Sequence, residues 1–406
     1  MESLTGLPPL FDEIVVPSHF SVTQLAFGGD CLLRAAAPAS VSPEFQVSPE
    51  SELGRVLHTL MEMASRGLIH RRHNDRRDLE DALDTLLSEA QDRLAAAPQT
   101  ESFADLRQAF STREWEHRRG AALRCAARIA EKTPERTNRT PTAGGSSPLF
   151  PVVRRPGFRA SEVPIKSDVW RIRGRIDLLE TDINRIVQIV DYKSGHVTDE
   201  NGQVRESIAI QLRMYGLAIL ELWPDSDIRL QIVSGNMAYP VSFGQKDRDS
   251  TIEWIRARTS PLPTGATIKA PPLAKLGAQC SSCRIRPVCP EYRASISLLW
   301  CQARLPFPLP LDTAGRVLEV TGSAGCPSTL KIEDLGGRIV KIHRLSLPTG
   351  LFPGNSDGFL VWLFNLASSE ASFRNSLWRH PLNFHELPTS AAERRAWTCK
   401  VFADQR

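Results

Sequence analysis

Residues 167–180, SDVWRIRGRIDLLE, and 184–195, NRIVQIVDYKSG, decide the fold. Both are rich in β-branched residues and alternate in polarity, with Thr181-Asp182-Ile183-Asn184 between them as turn material. Together they predict a β-hairpin. Strand side chains alternate with period two, so Asp191 and Lys193 share one face. Asp177 comes from the partner strand. Two carboxylates on adjacent strands can hold a divalent cation through hard oxygen ligands. An ammonium group beside them can orient water or offset the charge that develops on a phosphate. An isolated D-x-K is common on surface strands as an ordinary salt bridge. GRID (174–177) on one strand and DYKSG (191–195) at the end of the next make a chemically coherent unit.

Working outward, a helix is predicted over 207–222, closed by Trp223-Pro224, and it carries Gln211 and Tyr215 as an i, i+4 pair on one face. Strand-like runs follow at 228–233 and 239–243, then a helical pattern at 250–258 and a Pro-rich loop at 260–279. Upstream, helical spacing runs through 51–97 and 103–132. The basic stretch RGLIHRRHNDRR (66–77) reads equally as a solvated face or a DNA track. TPERTNRTPTAGGSSP (133–148) reads as an exposed loop or linker. In GRVLH (54–58), His58 lies beside an apolar stripe. Such a histidine is usually a satisfied polar contact, and a ligand role follows only if the hairpin site exists. The order of elements predicts an α/β class with a mixed sheet flanked by helices.

The chain has 406 residues, room for two or three domains, and a net charge of +4, which permits a nucleic-acid partner without demanding one. The apolar run GFLVWLFNLA (358–367) is too short to span a bilayer, and the N-terminus shows no secretory signal. A cytoplasmic protein without a membrane partner is expected. Stable disulfides are rare in that compartment, so eight cysteines ask for another explanation. Cys280, Cys283 and Cys289 form C-x2-C-x5-C, three thiolates where a tetrahedral zinc or a four-iron cluster wants four. Cys31, Cys125, Cys301, Cys326 and Cys399 are the candidates for the fourth. Buried structural cysteines are the alternative.

The series GRVLH, GRID, DYKSG and QLRMY (211–215) resembles the RecB-like branch of the PD-(D/E)XK nuclease superfamily, over roughly residues 20–295. The resemblance implies a restriction-endonuclease-like fold and a DNA nuclease dependent on Mg²⁺ or Mn²⁺. It implies His58, Asp177, Asp191 and the main-chain carbonyl of Tyr192 as metal ligands, Lys193 as the catalytic lysine, and Gln211 and Tyr215 as its support. Glu162 is similar to an acidic position of some members. The iron–sulfur members of this branch, among them CRISPR-adaptation nucleases and AddB-type subunits, carry one cysteine far N-terminal and three after the core. That resemblance implies a 4Fe-4S cluster on Cys31, Cys280, Cys283 and Cys289, with zinc as the alternative. Leu32 follows Cys31 where the family usually has proline.

Beyond residue 308 the texture changes to short alternating segments separated by Gly, Pro, Asn and Ser, with Leu335-Gly336-Gly337 as the tip of a hairpin. About five strands predict a small OB-like barrel. The division is therefore 1–300, a nuclease domain with its cysteine cluster, and 308–406, the barrel. Trp362, Phe364, Phe373 and Trp378, with Lys341, Arg344 and Arg374, could stack and grip single-stranded DNA, or the aromatics could be core and the barrel a protein-docking module. The chain shows no G-x-x-x-x-G-K-[ST] phosphate loop, so unwinding would fall to a helicase or ATPase partner. The expected settings are repair, recombination or defence against mobile DNA. The competing readings are a catalytically silent DNA-binding or scaffold subunit and a zinc-ribbon regulator.

Overall fold

The computed structural model describes residues 10–37, 49–69, 77–96, 106–109, 112–132, 157–184, 186–193, 195, 197–235, 237–277, 279–280, 283, 285–301, 311–321, 328–335, 337, 339–345, 359–368, 382–386 and 400–404. The 133–148 segment and most of the basic 66–77 stretch lie outside them.

The predicted hairpin forms: β4 (Ile172–Thr181) runs antiparallel to β5 (Val187–Tyr192), paired from Leu178↔Val190 to Thr181↔Val187. Asp182 makes the turn, its Oδ1 accepting the backbone amides of Asn184 and Ile186 at 2.8 and 2.9 Å. β6 (Ile228–Ser234) joins β5 in parallel, and β7 (Met237–Val241) pairs antiparallel with β6. The parallel step needs a crossover, and α6 (Glu206–Leu222) supplies it. On the other side of β4 lies β3 (Arg159–Ser167), antiparallel throughout. The hairpin reading has no place for β3. Pro164 removes a ladder donor, which an edge strand tolerates, and Glu162 sits at φ +54 in its middle. A two-residue strand, β2 (Phe20–Ser21), pairs in parallel with Ile172 and Arg173 of β4.

Both faces of this sheet are covered where β4, β5 and β6 run side by side. Ile172, Ile176, Leu179, Ile189, Leu230 and Ile232 pack with α6 and with α1 (Val22–Phe27) in one core. Leu178, Val190, Tyr192 and Val233 pack on the opposite face with three helices, α3 (Pro49–Ser65), α4 (Arg77–Ala96) and α5 (Thr112–Lys132). The helix expected over 103–132 is instead a 3-10 turn at Leu106–Ala109 followed by α5, which opens at Thr112, a residue type that favours helix starts over interiors. α7 (Gln245–Thr259) begins earlier than the 250–258 pattern, because Asp247 Oδ2 accepts the Gly244 amide at 2.9 Å and closes the first turn. Within the Pro-rich loop, β8 (Thr267–Lys269) pairs with β1 (Glu13–Val15).

α2 (Leu32–Ala36) follows Cys31, and α8 (Pro290–Cys301) follows Cys289. Six further strands then make a second sheet: β9 (Leu311–Thr321), β10 (Ser328–Asp334), β11 (Ile339–Leu345), β12 (Leu360–Ser368), β13 (Leu382–Glu386) and β14 (Lys400–Asp404). β13 pairs with β11 in parallel and with β12 antiparallel, while β9 pairs with both β10 and β12. This sheet is anchored by a buried ion pair: Arg286 Nε lies 3.3 Å from Asp312 Oδ2, and the Tyr292 hydroxyl donates to the same oxygen at 2.7 Å. Trp362, a base-stacking candidate by sequence, is buried in the main core with Arg293 over its ring at 4.6 Å. It is a packing residue. Lys341 is exposed; the side chains of Phe364, Arg344, Phe373, Arg374 and Trp378 lie outside the described residues.

Candidate active site

The β4–β5 ladder stops at Leu178↔Val190, and β2 takes up the edge of β4 only at Ile172 and Arg173. Between them β4 parts from its neighbour. Strict alternation slips at the same place, since Ile176 and Leu179 join one core and Leu178 the other. Asp177 lies at this slip. Its Oδ2 accepts the backbone amide of Tyr192 at 2.6 Å, replacing the ladder bond that the parting strands give up.

Extending the register puts Glu162 opposite Asp177 on β3, and Asp191 opposite Asp177 on β5; neither pair belongs to a ladder. Three acidic residues thus form one row across three adjacent strands. The left-handed backbone of Glu162, which costs a non-glycine residue about 1–2 kcal/mol, falls in that row. α3 brings His58 over it, with Nδ1 3.5 Å from Asp177 Oδ2. His58, Glu162 and Asp177 each offer one ligand atom, and all three atoms lie within 4.8 Å of one another. Two hard oxygens and an imidazole nitrogen suit Mg²⁺ or Mn²⁺. Glu162 is therefore a full member of this group, although the sequence motifs gave it only a marginal place.

Asp191 lies outside that three-residue group. Its Oδ2 is buried 2.6 Å from Lys193 Nζ. Lys193 Nζ donates to Gln211 Oε1 at 3.1 Å, and Gln211 Nε2 donates to the Tyr215 hydroxyl at 3.4 Å. The row of carboxylates, the ammonium and the two α6 side chains are one connected unit. Tyr215 lies over Gly174, where an added Cβ would meet its Cε1 at 2.7 Å. The glycine of GRID is thus a space requirement of Tyr215. Gly174→Ala is expected to cost about 1–3 kcal/mol through this overpacking and to displace Tyr215 from Gln211. The denaturant midpoint measures it, and an unchanged midpoint would refute the contact.

Burial raises the Asp177 carboxyl well above its ordinary value, and Asp191 and Glu162 add to this while Lys193 and the Tyr192 amide oppose it. Glu162 is raised by burial and by Glu62, against Arg175 and Arg66. Burial lowers His58, which leaves its ring neutral and able to ligate at neutral pH. A carboxyl raised in the folded state stabilises the fold below its unfolded value, and that contribution is lost as pH rises through the folded value. A bound cation takes the charged form, so its stabilising effect should grow over the same range. Melting of the protein with and without Mn²⁺ should therefore diverge from acid toward neutral pH, reaching about 2.7 kcal/mol at a hundredfold excess over Kd. A pH-independent difference would remove the carboxylates from the binding group.

The cysteines converge elsewhere. Cys31, Cys280, Cys283 and Cys289 are all buried in the main core. Burial raises Cys280 to about 11 and Cys289 to about 12, with each thiol's neighbours among the other three adding to the shift. Burial also raises Cys283. The Cys31 loop is tied to the C-terminal segment: Cys31 Sγ lies 3.9 Å from Leu273 O, Asp30 meets Lys275 at 2.9 Å and Arg258 at 3.2 Å, and Arg34 donates to Gln279 O at 2.5 Å. Among the described residues, no three of these sulfurs lie within 4.8 Å of one another. Cys125 is buried in the other core, and burial pushes it up to about 12. The side chain of Cys301 and both Cys326 and Cys399 lie outside the described residues.

No helix among the described residues is long and apolar enough to cross a membrane. No curated protein matches the chain. A family model for the PD-(D/E)XK nuclease superfamily matches residues 19–290, about two thirds of its length, and covers β2 through Cys289 together with every side chain of the acidic row. The chain belongs to the PD-(D/E)XK nuclease superfamily, whose members are generally nucleases that use divalent metals.

Proposed function

We propose that this protein is a Mg²⁺- or Mn²⁺-dependent deoxyribonuclease that hydrolyses single-stranded DNA or DNA ends. The convergence of Asp177, Glu162 and His58 beside the Asp191–Lys193 pair carries this reading. His58, Asp177 and Glu162, with Asp191 and the Tyr192 carbonyl beside them, would hold the cation. When bound, it supplies Lewis acidity toward the phosphate and lowers the pKa of water in its shell. Lys193, steadied by Asp191 and Gln211, presents its ammonium to the attacking water or to the phosphate oxygens. Tyr215 fixes the amide of Gln211 from behind.

Four thiols buried together suit a metal centre, because each gains a thiolate only against a cation. Ligation by thiolates alone, with one cysteine far upstream and three after the core as in the iron–sulfur members that the chain resembles, favours a 4Fe-4S cluster over zinc. It would act as a staple between the Cys31 loop and the end of the nuclease domain. The pairing ring β9-β10-β11-β13-β12-β9 supports an OB-like barrel over 308–406 as a second domain. A helicase or ATPase partner and a role in repair, recombination or defence fit a sequence that carries no G-x-x-x-x-G-K-[ST] phosphate loop.

End-labelled single- and double-stranded DNA incubated with Mg²⁺, Mn²⁺ or chelator tests the reading. Product only in the metal lanes, and from the single strand or the ends, is expected. A metal-loaded, folded protein that leaves all substrates intact would make it a scaffold subunit instead.

A further inference from the structure

The β3–β4 ribbon runs beyond the acidic row. Ile165, Ile172 and Ile176 turn one face into the main core. The residues on the other face are exposed: Pro164 and Lys166 on β3, Arg173 and Arg175 on β4. The register sets Pro164 with Arg175 and Lys166 with Arg173, two successive ranks leading away from the position where Glu162 faces Asp177 outside the ladder. Arg175 reaches back to Glu162 Oε2 at 3.4 Å, which ties the first cation of the series to the carboxylates. Arg173 has no acidic partner among the described residues, while Lys166 shares Asp168 at 2.8 Å. An uncovered sheet face with stepped cations, starting at a row of carboxylates, is complementary to a chain of phosphates.

We propose that this face is a backbone track for single-stranded nucleic acid, on which Arg175 and Arg173, helped by Lys166, hold successive phosphates leading away from Asp177. The spacing fits. Alternate strand residues are about 7 Å apart, and a nucleotide has twice as many backbone bonds per repeat as an amino acid, so one extended nucleotide steps with two residues. Pro164 and the arginine stems offer only shallow surface between the cations. The track therefore reads phosphates and not bases. The direction of the track rests on the nuclease reading; its existence rests on the charge and exposure of the face.

The test is binding of a fluorescein-labelled oligodeoxythymidylate in chelator across a NaCl series, for wild type, the double variant Arg173→Gln/Arg175→Gln, and Arg256→Gln on the exposed side of α7 as control. The double variant should bind about tenfold or more weakly, and its slope of log K against log salt should be shallower by about 1.4, near 0.7 for each phosphate no longer neutralised. The control should match wild type. All three arginines are exposed, so circular dichroism should show the same fold. Equal affinity and slope in the double variant, or no binding by wild type, would overturn the track. Cleavage is scored separately. A wild type that binds with the steeper slope but never cuts with Mg²⁺ or Mn²⁺ supports the track and removes the nuclease reading. One that cuts while the double variant binds unchanged does the reverse.

Discussion

Lys193→Ala should reduce the initial rate of metal-dependent DNA degradation by about 10²–10³-fold or more, the range for removing one donor aimed at developing charge. Lys193 is the cation that joins the two halves of the site. Its Nζ lies 2.6 Å from Asp191 and 3.1 Å from Gln211, and its charge also acts on Asp177. Removing it takes away the ammonium that meets water or phosphate, and it leaves Asp191 buried beside Asp177 with no cationic partner of its own strand. The second effect also lowers stability, by as much as about 3 kcal/mol for a buried charge left without its partner, unless Mg²⁺ compensates. Rate and melting temperature must therefore be read together. A variant that stays folded and binds Mn²⁺ yet is inactive fits the assigned role. A folded variant with near wild-type rates would exclude Lys193 from the chemistry.

The second large effect is expected from Cys283→Ser. The protein purified without oxygen should be brown, with broad absorbance at about 400 nm from thiolate–iron charge transfer, and the variant should lose most of that colour. Four-ligand zinc sites in small peptides contribute about 10–16 kcal/mol to folding. Losing one of four ligands in a comparable staple should remove several kcal/mol, which lowers Tm by roughly 10 °C or more in a domain of this size. Cys283 is the informative position because it is buried beside Cys31 and Arg34, within the segment joined to the Cys31 loop. Cys31→Ser should lower cluster content and solubility in the same sense. Colourless wild-type protein with one zinc per chain would replace iron by zinc. Unchanged melting in Cys283→Ser would leave the thiols as ordinary core residues. Cys125→Ser serves as the control, since that thiol lies in the other core.

Several elements were legible because their signal is local. Alternation and a turn segment mark β4 and β5, a 3.6-residue period closed by Trp223-Pro224 marks α6, and the Leu335 turn lies between β10 and β11. β3 was not legible, since Pro164 and Glu162 break the pattern that would announce a strand. β13 is equally silent: five residues, LNFHE, carry little periodic signal. Trp362 reads as an available aromatic by type, and only packing shows it buried.

By itself the sequence determined the candidates for chemistry: which acids, which lysine, which three clustered cysteines, and the helix carrying Gln211 and Tyr215. Those follow from residue type and spacing along one or two elements. The family resemblance already named His58 and Cys31; the tertiary structure decided that Glu162 stands in the same row as Asp177, that His58 reaches that row from α3, that Cys31 is buried in one core with the cysteines from residues 280–289, and that Arg173 and Arg175 lie on an uncovered face. The physical reason is that strand register and helix docking bring distant residues together through non-local pairing and burial, and no local period encodes which partner an edge will find.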